Sequence, residues 1–227
     1  MGLTGAYVIG ILFAIIGGIV QARLRSKFKK DSKTPIQSNL SGKEVAEKML
    51  HDNGIYDVEV ISVRGQLTDH YNPMKRTVNL SESVYGQRSA ASAAVAAHEC
   101  GHAVQHAKQY VWLMMRSRLV PAVQRSGMIV QIAIIGGIFL INRFPYLLLF
   151  GIGLFALTTL FTLITLPVEF DASKRALQWM KTSNVVSDTE LADSKDALKW
   201  ASMTYVVAAI ASITTLLYYV SYYLNRR

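Results

Sequence analysis

Five consecutive residues hold most of the chemistry in this chain: His98-Glu99-Cys100-Gly101-His102, an H-E-x-x-H spacing. They lie in residues 89–107, a run rich in Ala, the strongest helix former, with no Pro to interrupt it. On a helix, positions i and i+4 share a face, so His98 and His102 can offer both imidazoles to one metal ion. Glu99 directly follows the first histidine, where a carboxylate can take a proton from a metal-activated water. The chemistry expected is hydrolysis assisted by Zn2+. The competing reading, a surface helix with two unpaired histidines, is disfavoured by the Ala-rich, amphipathic surroundings and the Gly at the fourth position.

A catalytic zinc site needs three protein ligands, so a third must come from elsewhere. His106 lies eight residues after His98, about 12 Å along a helix axis, too far to share the metal. No Gly stands between His102 and His106 to turn the chain back, as the metzincin spacing requires. His106 is therefore expected to support the site or to be structural. Cys100 projects about 200° from His98 and reads as a packing residue. His51 falls on the polar side of a helix. His70, in Leu67-Thr68-Asp69-His70-Tyr71, belongs to a polar cluster between strands. It is either a turn histidine or a group that hydrogen-bonds an oxyanion or orients a ligand. The preferred third ligand is Glu169, in Leu166-Pro167-Val168-Glu169-Phe170-Asp171. A carboxylate so near an apolar run is costly unless solvated, paired or metal-bound. Asp171 competes for the role, but the two point about 200° apart on a helix, so only one can face the metal.

The elements that must position these groups are set by an apolar composition. The 227 residues are 51% hydrophobic, too many for an ordinary soluble domain. Four runs approach membrane-spanning length: residues 3–20, 127–141, 146–166 and 203–224. The second is short and must tilt little, recruit residues from Leu119 onward, or rely on Arg125 and Arg143 reaching to the interface. The first has its positive cluster (Arg23, Arg25, Lys27, Lys29, Lys30) after the apolar run, the pattern of an uncleaved anchor rather than a secretory signal. Of the 24 Lys and Arg residues, 16 lie between the first and second runs and five between the third and fourth. The positive-inside rule then places residues 21–126 and 167–202 in the cytoplasm, with both termini outside. The net charge of +9 is thus explained by orientation and anionic lipid rather than by nucleic acid. With a single cysteine no intrachain disulfide can form.

Between the first two runs, the capping box Ser41-Gly42-Lys43-Glu44 predicts a helix at about 42–53, stopped by Gly54. Residues 56–63, 67–71 and 76–80 read as strands of a small antiparallel sheet, the last leading into the His helix. An exposed edge strand there either holds an extended peptide or only packs on the helix. Residues 110–125 form an amphipathic helix that Pro121 bends or ends, residues 168–181 are helical, and Ser187-Asp188-Thr189-Glu190 opens a last helix. The expected fold is mainly α: four transmembrane helices and a cytoplasmic zincin-like α+β metalloprotease domain with a small antiparallel sheet. The expected parts are an anchor at 1–22, a cytoplasmic domain at 23–126 with the H-E-x-x-H helix near 88–108, a transmembrane hairpin at 127–166, cytoplasmic helices at 167–202 and a final transmembrane helix at 203–227.

The segments Leu67-Thr68-Asp69-His70-Tyr71-Asn72-Pro73, Leu80-Ser81-Glu82-Ser83-Val84-Tyr85, Ala96 through Ala107 and Leu166 through Ser173 together resemble the YugP-type family of bacterial membrane zinc metallopeptidases. The likeness spans nearly the whole chain. More distantly, the chain is similar to the HtpX and CAAX-prenyl membrane proteases, whose third ligand is the Glu of an E-x-x-x-D motif after a transmembrane span. The resemblance implies His98, His102 and Glu169 as zinc ligands and Glu99 as base. This chain departs from that motif at Ser173, which stands where Asp is expected. A carboxylate to hold a ligand histidine would then come from Asp171 or Asp69. The function expected is zinc-dependent cleavage of membrane or membrane-proximal proteins at the cytoplasmic face of the cell (inner) membrane. The alternatives are an intramembrane site-2-type protease, against which the flanking Arg88 and Lys108 argue, and a non-catalytic metal-stabilised scaffold. A transporter is disfavoured because the apolar runs carry no ionisable residue at mid-length.

Overall fold

The computed structural model describes residues 2–226; Met1 and Arg227, which end the first and last expected segments, lie outside the described residues. The elements run α1 (Gly2–Asp31), α2 (Gly42–Asp52), β1 (Glu59–Val63), β2 (His70–Asn72), β3 (Thr77–Ser81), α3 (Glu82–Tyr85), α4 (Ala90–Ala107), α5 (Val111–Phe139), α6 (Pro145–Thr182) and α7 (Asp188–Leu224).

Local sequence dictates most of these boundaries. Ser41 caps α2 in a reciprocal box: Glu44 N donates to Ser41 Oγ at 3.3 Å and Ser41 N to Glu44 Oε2 at 2.7 Å. Val45, Ala46, Met49 and Leu50 form the buried stripe of that helix. Asn53 is its C-cap and Gly54 follows at φ +72°, as the sequence predicts. Ser89 caps α4 in the same reciprocal way with Ser92. Ser187 N donates to Glu190 Oε2 at 2.8 Å, and α7 then runs unbroken into the last apolar run.

The sheet differs from the antiparallel one expected. Its strand order is β1-β3-β2, with β3 parallel to β1 and antiparallel to β2. Only β2 and β3 form a hairpin; the chain leaves β1, passes to the far side as β2, and returns as β3 between the two. Alternation in sequence reports which face a side chain takes, not which strand lies beside it. The five residues of β3, all buried, carry the mark of this central place. A one-turn helix, α3, also intervenes between β3 and α4.

Among the described residues, four helices are long and apolar enough to cross a membrane: Thr4–Asp31, Val111–Phe139, Pro145–Thr182 and Asp188–Leu224. The short second run gains its length because α5 begins 16 residues before it and carries Pro121 inside rather than ending there. The chain divides into two compact units. One holds residues to Val20, Met114–Leu166 and the chain from Met203 on. Its core is built on Val130, Ile134, Ile138, Leu148 and Ile152, and Thr159 Oγ1 meets Ser212 Oγ at 2.8 Å between α6 and α7. It turns Ile11, Ile132, Phe139 and Phe150 outward. The other unit, Gln21–Leu113 with Pro167–Ser202, has its own core of α2, sheet, α4 and α6 residues, including Met49, Leu80, Ala97, Cys100 and Met180.

Candidate metal centre

The second unit contains every residue of the candidate site. Within α6, Glu169, Ala172, Ser173 and Ala176 follow at i, i+3, i+4 and i+7, one helical face. That face meets α4 backbone to backbone at Gly101, where an added Cβ would sit 2.6 Å from the Ala172 carbonyl oxygen. The glycine of the H-E-x-x-H motif is therefore a close-packing residue, and the contact it permits brings Glu169 to the two histidines.

His98, His102 and Glu169 each offer a ligand atom within 4.8 Å of the others, a set that could hold one metal ion. His98 Nε2 is 3.3 Å and His102 Nε2 3.7 Å from Glu169 Oε2. The rings stand edge to face, 4.9 Å between centroids. Each ring also has its Nδ1 occupied: His98 by Ser173 Oγ at 3.1 Å and His102 by Gln105 Oε1 at 3.0 Å. Nε2 is thus the atom each ring turns toward the carboxylate. Two imidazole nitrogens and one carboxylate oxygen are a donor set suited to zinc.

Glu169 is only 2% exposed. Burial opposes its charge, but the two adjacent imidazoles outweigh burial and hold its carboxyl far below the usual carboxylate range. Burial likewise opposes a charged His102, and the neighbouring Glu169 carboxylate more than offsets it, raising the His102 pKa. The pocket favours a positive charge facing Glu169, whether proton or metal.

Glu99 is buried beside the trio but is not one of it; its Oε2 accepts from the Tyr71 amide of β2 at 3.0 Å. Tyr71 is itself tied to α4, its hydroxyl 2.8 Å from His106 Nδ1. The structure thus places His106 on a strand contact, apart from the trio. His70 is exposed on β2 with Nδ1 2.8 Å from the Thr68 carbonyl oxygen. Asp69 accepts from Ser81 N and Oγ, fixing the end of β3. Asp171 reaches His102 only through Gln105, whose Nε2 donates to Asp171 Oδ2 at 2.8 Å. Cys100 is buried, its thiol directed at the Ala46 carbonyl.

Sequence reasoning passed over Gln105, although it lies at i+3 from His102 and so on the same helix face. It also treated Ser173 as a missing carboxylate, whereas its hydroxyl occupies the hydrogen-bonding place at His98.

No solved structure matches the chain. It is 42% identical over 207 residues, covering 91% of each chain, to a Bacillus subtilis (strain 168) protein described as "Putative membrane protease YugP". The family described as "Putative neutral zinc metallopeptidase" matches residues 6–224, which takes in the His helix, the Glu169 segment and all four apolar helices. With a His, His, Glu set that fits zinc and a match over nearly its whole length, the chain belongs to that zinc metallopeptidase family.

Proposed function

We propose that the protein is a membrane-embedded zinc metalloendopeptidase with His98, His102 and Glu169 as ligands and Glu99 as general base, a gluzincin-like set. The observation that carries this reading is the convergence of three zinc-type donors with Glu99 beside them. Zinc, when bound there, supplies the Lewis acidity that polarises a scissile carbonyl and acidifies a water. Glu99 takes the proton of the attacking water and returns it to the leaving amine as the C–N bond breaks. The Tyr71 amide steadies Glu99 through one oxygen. β2 is an outer strand of the sheet, which supports binding of an extended peptide through main-chain hydrogen bonds. Glu169 follows the third apolar run by three residues in the sequence. This supports substrates that are membrane proteins or their exposed segments, cut at the cytoplasmic face of the cell membrane.

A scaffold that kept a metal for stability alone would have no use for Glu99. The test is Glu99→Gln in detergent-solubilised protein. It should keep about one zinc per chain and lose cleavage of casein or a membrane protein by roughly 10²–10⁴-fold. Undiminished cleavage would reject the mechanism.

A further inference from the structure

The zinc reading uses His98, His102, Glu169 and Glu99, and leaves a string of polar side chains behind His102 without a role. Gln105 is fully buried in α4, a rare place for an amide side chain. Its Nε2 donates to the Val168 carbonyl at 2.7 Å and to Asp171 Oδ2 at 2.8 Å. A backbone carbonyl and a carboxylate only accept, so both amide protons are committed and the orientation of the amide is fixed. Oε1 must then face His102 Nδ1, 3.0 Å away. An amide oxygen cannot donate, so Nδ1 carries the proton and Nε2 keeps its lone pair. Asp171 is neutralised in turn by Arg175, whose Nε donates to the same Oδ2 at 2.6 Å.

We infer that Gln105, backed by Asp171 and Arg175, is a positioning relay that locks His102 as an Nε2 ligand and tightens its hold on zinc. This inference rests on the zinc reading above. The neighbouring ligand is built differently. His98 Nδ1 meets the Ser173 hydroxyl at 3.1 Å, and a hydroxyl can donate or accept, so it dictates no tautomer. One histidine is therefore fixed by its surroundings and the other is free to adapt. Loss of the relay should weaken zinc binding by roughly 10–100-fold, the usual effect of removing a partner that orients a metal-bound histidine.

The test measures zinc affinity by chelator competition on the full-length, detergent-solubilised protein. Gln105→Leu should bind zinc about 10–100-fold more weakly than wild type. Gln105→Glu should also bind more weakly, because a carboxylate there faces the Val168 carbonyl and Asp171 with no proton to give. Adding Asp171→Asn to Gln105→Glu supplies a donor between the two side chains and should recover most of that loss. A merely structural Gln105 would make the double variant no better than the single one. Wild-type affinity in either single variant, or no recovery in the double, overturns the relay. Should Gln105→Leu fail to fold, the comparison of Gln105→Glu with and without Asp171→Asn decides alone. A wild-type protein that takes up no zinc rejects the zinc reading itself, a result distinct from any of these.

Discussion

Glu169 sits where a carboxylate is least stable unless a positive charge stands in front of it, and two imidazole nitrogens within 4 Å mark where that charge belongs. Its rival for the third ligand position, Asp171, is two residues on and turned toward Arg175 and Gln105. The two carboxylates therefore do different work: one faces the metal position, the other faces a helper of a ligand. Glu169→Gln should lower zinc affinity by more than the roughly 10–100-fold typical of a lost supporting contact, and by more than Asp171→Asn. Isothermal titration of the two variants checks the order, and the reverse order would reassign the third ligand. Ser173 adds a second distinction at this scale. It stands one turn after Glu169 and meets His98 through a hydroxyl, so the missing Asp leaves no gap in the hydrogen bonding of that ring.

At the scale of elements, the site depends on how closely α4 and α6 approach. Gly101 permits that approach because its Cα faces the Ala172 carbonyl, a backbone atom that no rotamer change can move aside. Gly101→Ala forces a Cβ into that contact, with overpacking of about 1–3 kcal/mol. Its expected effect is a lower Tm and a weaker zinc site together, because parting the helices carries Glu169 away from both histidines. Thermal melts with and without added zinc check this, and native stability with native zinc affinity would show that the contact does not set the site. The same helices show what a sequence makes legible. Capping boxes at Ser41 and Ser187, the α4 helix and the i, i+4 histidines were all readable, since each is local and fixed within one or two turns. The strand order was not, because β3, last of the three in the chain, inserts between β1 and β2, and no short-range signal encodes that insertion. Gln105 escaped notice for a related reason. A glutamine in an Ala-rich helix looks like any surface residue until α6 covers it, and its partners lie more than 60 residues away.

At the scale of the whole chain, the arrangement of charge should decide which way the protein sits. The unit built from the apolar helices turns Ile11, Ile132 and Phe139 outward, surfaces suited to lipid tails, while the metal-site unit packs around a core of its own. Lys and Arg are concentrated in the two stretches that form the metal-site unit, 13 in one and five in the other; Arg116, Arg118 and Arg125 follow directly in α5, and Arg143, Arg226 and Arg227 fall in the remaining loop and tail. Cationic loops are retained on the cytoplasmic side, so the metal-site unit should face the cytoplasm. Single cysteines test this cleanly, because the native Cys100 is buried and gives little background. Gln37→Cys and Asn142→Cys both replace exposed residues, one in each class of loop. A membrane-impermeant maleimide applied to intact cells should label position 142 and spare position 37, and inverted vesicles should reverse the pattern. Labelling of position 37 from outside would place the zinc site across the membrane from the cytoplasm. The candidate substrates would then be extracytoplasmic segments, with the chemistry of His98, Glu99, His102 and Glu169 unchanged.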